Sequence, residues 1–156
     1  RTALTGAELL PHPAATLNRV GRGAVAYIPA DVCRDFQHNR YPLIRSFIGE
    51  VTRALAGKLP ISVQAPLCVD VALRRKGDRS IIHFVNRASG IPNQPNNGAI
   101  DEIPKVGPIV ITMNTAKRPV SVTAAWEGSK PKWTHKGQTL TITLDTLHIH
   151  EAVVIR

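Results

Sequence analysis

Aromatic side chains make up only 4% of this 156-residue sequence, and cysteine occurs twice. The shortage of aromatics excludes a surface of rings interleaved with basic residues, the platform on which single-stranded nucleic acid stacks. Cys33 and Cys68 allow at most one bridge. That is far below the cysteine density of a small disulfide scaffold, so the pair defines neither fold nor compartment. Long hydrophobic runs are also missing. Arg, Lys, Pro or Asp interrupts every stretch that approaches the roughly 20 apolar residues of a membrane helix, which excludes a helical span. The chain opens with Arg1, and residues 1–6 lack the apolar core of a signal peptide. We expect a fragment or processed product, whose lack of a targeting segment leaves its localisation open.

The hydrophobic content is 43%. A chain of this length buries about 70% of its unfolded surface, enough for one domain, or one domain plus a remnant, without metal or disulfide support. The formal charge of +9 is spread evenly, with +4 in residues 1–60 and +5 in residues 61–156. Its densest run, Arg74, Arg75, Lys76 and Arg79 around Gly77 and Asp78, reads as a solvated hairpin tip. Neither nucleic acid nor membrane is therefore expected as a partner.

Two unlike parts follow from the periodicity. In residues 1–58, Ala24 to Pro29 is a continuous apolar run, the pattern of a strand buried on both faces of a parallel sheet. A polar loop is expected from Ala30 to Tyr41. Leu43, Ile44, Phe47, Ile48, Val51, Ala54 and Leu55 then recur at helical spacing, with Pro42 at the start and Gly57 as the stop. One strand and one helix cannot cover both faces of a sheet, so this part reads as the end of an α/β domain that needs a partner. From residue 59 to 156 the period becomes two, with turn residues every eight to twelve positions, as in an antiparallel β-sandwich. The fold expected is mainly β, a sandwich preceded by a strand-helix remnant. Strands are expected at residues 69–73, 80–86, 109–113, 120–126, 138–144 and 152–155. Residues 87–104 form a long loop rich in Pro and Asn.

The chemistry-bearing candidates are few. His148 and His150, with Glu151 beside them, are the only local metal-type grouping, and no further cluster completes a zinc set. No metal and no cofactor are expected. Gly-x-Ser-x-Gly is absent. Asp31, Cys33, Asp35 and His38 form a polar cluster just beyond the apolar strand, where α/β sheets place ligands, although a capping loop has the same composition. Asp101 and Glu102 are adjacent, so on an extended segment they point apart and make poor paired carboxylates. Trp126 and Trp133 flank the turn at Glu127 to Lys130; they suit sugar rings as flat faces, or serve as lids on the core.

Certain stretches resemble a known family. The runs GRGAVAYIPAD (residues 21–31) and YPLIRSFIGEVTRALA (residues 41–56) are similar to the last strand and helix of the glutamine-amidotransferase-like domain of β-galactosidase-type glycoside hydrolases, known as the trimerisation domain. VQAP (63–66), VDVALR (69–74), IIHFVN (81–86) and LHIHEAVVI (147–155) resemble the small C-terminal β-domain that follows it. The resemblance implies that a catalytic barrel, carrying the acid and nucleophile carboxylates, precedes these parts. No catalytic residue carries over to this chain. What it implies here is a noncatalytic accessory or oligomerisation portion whose partners are the upstream catalytic domain, another protein chain or a second copy. Two other readings stay open: a carbohydrate-binding module using Trp126, Trp133 and the 87–104 loop, and an independent enzyme centred on Asp31, Cys33 and His38.

Overall fold

The computed structural model describes Pro13 and residues 15–88, 102–128 and 130–156. The chain divides into two compact units, Arg1–Leu59 and Pro60–Arg156.

In the first unit, β1 (Thr16–Val20) and β2 (Gly23–Tyr27) form an antiparallel hairpin. Gly21, at φ 57°, opens the two-residue turn in a conformation that costs a residue without Cβ little. This corrects the expected strand buried on both faces of a parallel sheet. In β2 only Ala24 and Ala26 are half-buried, while Val25 and Tyr27 are exposed: β1 pairs with its edge, and helix packing reaches one face alone.

Helix α1 (Val32–Asn39) occupies the stretch expected as a polar loop. The Asp31 carboxylate accepts the Arg34 N–H at 3.4 Å, Arg40 ends the helix in the left-handed conformation, and Val32 and Phe36, one turn apart, are its half-buried residues. Helix α2 (Pro42–Ala56) follows the expected pattern, with Pro42 in its first turn and Gly57, at φ 63°, past its end. It half-buries Ile44, Phe47, Ile48 and Val51, packing against α1 and β2.

The second unit holds β3 (Ile61–Gln64), β4 (Val69–Lys76), β5 (Arg79–Asn86), β6 (Ile109–Asn114), β7 (Val122–Ala124), β8 (Lys132–Lys136), β9 (Thr139–Leu144) and β10 (His150–Ile155). Two four-stranded antiparallel sheets result, ordered β4-β5-β10-β7 and β3-β6-β9-β8. Ile82, Phe84, Val122, Val153 and Ile155 from the first sheet meet Ile109, Ile111, Leu140, Ile142 and Leu144 from the second, and Leu147 joins them. The fold is a mainly β antiparallel sandwich, as the period-two alternation of Val, Ile and Thr requires.

Register assigns the faces of the first sheet. Phe84 lies opposite Glu151 and Ile82 opposite Val153 on the inner face; Val85 opposite His150 and His83 opposite Ala152 lie on the outer face. Strand β7 is shorter than the expected 120–126 stretch. Val120 hydrogen-bonds at its far end to the Arg156 carbonyl, the Ala125 N–H still donates to the Ala152 carbonyl, and from Trp126 onward the amides turn toward a side chain. Most of the 87–104 loop, with Asp101, lies outside the described residues.

The core makes one quantitative demand. Phe84→Ala should lower stability in denaturant unfolding by about 3–5 kcal/mol. Val120→Ala, at an exposed position, should stay within about 0.5 kcal/mol of the parent.

Candidate functional site

One end of the first sheet gathers most of the sandwich's buried polar chemistry. Strand β10 carries Glu151 inward, 1% exposed, beside the apolar core. A carboxylate there must be surrounded by donors. Its Oε1 accepts the backbone N–H groups of Ala125 (3.1 Å), Trp126 (2.9 Å) and Ala152 (2.8 Å), and Oε2 accepts that of Glu127 (3.2 Å).

The segment so held returns the same device. Glu127 Oε1 accepts the N–H of Ile149 (2.8 Å) and of His150 (3.3 Å), and its Oε2 that of His148 (3.2 Å). Two carboxylates thus clasp each other's neighbouring backbone. Burial pushes the Glu127 carboxyl up, but its amide donors from Ile149, His148 and His150, with the charge of His148, outweigh this and hold it below its ordinary value.

Asn86, also buried, closes the same end. Its Nδ2 donates to the carbonyls of Pro104 (2.8 Å) and His148 (2.6 Å), and its Oδ1 accepts the Ala88 N–H at 2.9 Å. Outside this locked frame a row of rings crosses the sheet. His83 and His150 stack at 5.5 Å between centroids, with Nδ1 of His83 3.3 Å from Nε2 of His150. Trp126 meets His150 edge to face at 5.5 Å.

No protein-family model matches this sequence, and no curated protein does. The solved structures that share the fold include α-L-fucosidase isoenzyme 2 from Paenibacillus thiaminolyticus. It superposes with a TM-score of 0.69 over 90% of this chain at 17% identity. This chain spans 21% of that enzyme's length. At that identity the two share a fold, one that occurs within a glycoside hydrolase.

The residues singled out from the sequence fall in three places. Asp31, Cys33, Asp35 and His38 lie on or beside α1, where Asp31 caps the helix and His38 Nδ1 donates to the Arg34 carbonyl at 2.8 Å. Cys33 is an exposed free thiol and Cys68 a half-buried one. Trp133, on β8 of the second sheet, is half-buried against the core, with the Arg118 guanidinium 5.3 Å from its ring centre. Trp126 follows β7 of the first sheet and stands 72% exposed.

His148 precedes β10 whereas His150 begins it, so the two are not neighbours on one strand face; His150 partners His83 instead. Among the described residues no three His, Cys, Asp or Glu side chains converge as metal ligands. From the sequence Glu127 reads only as a turn residue, and Glu151 only as a neighbour of the two histidines. The one local signal is Glu151 itself, a charge inside an apolar strand pattern.

Two measurements check this frame. Glu151→Ala strands backbone donors in the interior and should lower stability by at least about 2 kcal/mol in denaturant unfolding. For Glu127, a lowered folded value means its stabilising contribution is present above the unfolded carboxylate range and is lost as pH falls through the folded value. The parent should therefore lose melting temperature below about pH 4, and Glu127→Gln should flatten that acid limb.

Proposed function

We propose that this chain is a noncatalytic C-terminal accessory portion of a carbohydrate-active glycoside hydrolase. The observation that carries the reading is the match of 90% of the chain to 21% of an α-L-fucosidase. A piece that matches a minor share of a larger enzyme over nearly its own full length is suited to serve beside a catalytic domain.

The first unit supports an assembly role. Its described helices bury no residue fully, and Leu17, Val25, Tyr27, Tyr41 and Leu43 are exposed. Apolar surface of this kind gains about 25 cal/mol for each Å² that a partner removes from water. The upstream catalytic portion of the same polypeptide is the partner we assign to it. In the sandwich, the carboxylates are engaged by backbone amides, which makes them structural groups and not a free acid and nucleophile pair.

An antibody against this chain tests the reading in the source organism. The expected result is a polypeptide several-fold longer than 156 residues that hydrolyses aryl glycosides, while the isolated chain hydrolyses none. A native polypeptide of this length, or turnover by the isolated chain, overturns it.

A further inference from the structure

We infer that Trp126, His150 and His83 form a glycan-contacting site on the outer face of the β4-β5-β10-β7 sheet. The inference rests on the accessory reading for the class of ligand, and on the geometry for the site itself.

An indole left 72% exposed forgoes the burial that usually anchors so large a ring. Trp126 is nonetheless held in place. Its own N–H and those of Ala125 and Glu127 bond the buried Glu151 carboxylate, and Glu127 fixes the backbone of His150, against which the ring rests. Each element of the row is thus positioned before a ligand arrives. Prior ordering removes part of the entropy cost of binding.

The cross-strand neighbours leave His83 approachable. Ala72 lies opposite it on β4 and Ala152 on β10, so no long side chain stands directly across either ladder, and the ring stacked on it is His150 of the same row. One row further along, Asp70 lies opposite Val85, and its carboxylate bonds Arg87 at 3.2 Å. The face therefore runs from an exposed aromatic plane, past two imidazoles, to an ion pair.

A pyranose matches that sequence of groups. Its ring C–H bonds present weakly positive hydrogens to the negative face of an indole. Its hydroxyls both donate and accept, and a neutral imidazole offers one donor and one acceptor nitrogen. A wholly apolar partner would leave both histidines without bonds to it, at a desolvation cost.

The 156-residue chain itself is the test material, with both indoles labelled with nitrogen-15. The probes are an L-fucose-terminated oligosaccharide, a β-galactose-terminated oligosaccharide and cellohexaose, each raised to about 10 mM, a range that saturates a site of roughly millimolar affinity. At least one should move the Trp126 indole resonance saturably while that of Trp133 stays in place. By calorimetry, Trp126→Ala and His150→Ala should each weaken that sugar at least tenfold with the melting temperature retained. If no probe moves Trp126, or if Trp126→Ala binds as well as the parent, the site is overturned. Binding that depends on Trp126 in a protein whose native polypeptide proves no longer than this chain would sustain the site while the accessory reading fell. A longer glycosidase polypeptide with no binding would do the reverse.

Discussion

A carboxylate facing the interior of a β-sandwich has to be met by hydrogen-bond donors, and in this protein Glu151 imposes that requirement on the end of the fold. It sits on β10, the strand paired with both β5 and β7. An ion in that position without partners would cost several kcal/mol. The donors come from the backbone of residues 125–127: the Ala125 N–H is shared between the Ala152 carbonyl and Oε1, and those of Trp126 and Glu127 turn to Oε1 and Oε2. That turn brings Glu127 within reach of the amides that lead into β10. The end of β7, the backbone of Trp126 and, through Glu127, the entry of β10 are thus tied to one buried carboxylate.

The two carboxylates have surroundings of one kind. Glu151 is buried and takes amide donors on both oxygens, and Glu127 takes them on both of its own. Acid catalysis needs a carboxyl whose proton is available to a leaving group. These serve as anchors for chain segments more than 20 residues apart, a task usually left to packing.

Where structure depends on local pattern, it was legible in the sequence. The hairpin of β4 and β5 around Gly77, the strands β6, β9 and β10, and helix α2 with its Pro42 start and Gly57 stop each follow from periodicity and turn chemistry. Helix α1 was harder to see. Six of its eight residues other than Val32 and Phe36 are polar or small, so the apolar pair one turn apart was outweighed by the composition of a loop. The run from Ala24 to Pro29 misled for the opposite reason. Six apolar residues in a row suggest two covered faces, yet β1 folds back beside β2 and Val25 and Tyr27 remain in water. Trp126 and Trp133 flank one turn in sequence, but the chain changes sheets between them.

By itself the sequence determined the class of fold. Alternating Val, Ile and Thr can bury one face only as half-covered strands, and the spacing of Gly and Asn turns limits those strands to sandwich length. Tertiary structure alone decided the candidate site. Besides its neighbour Ala152, Glu151 accepts from three amides about 25 positions away, and a backbone amide is a group that every residue except proline possesses. No pattern of side chains marks them. His83 and His150 likewise meet only because β5 and β10 pair in one particular register, and register is a property of the assembled sheet.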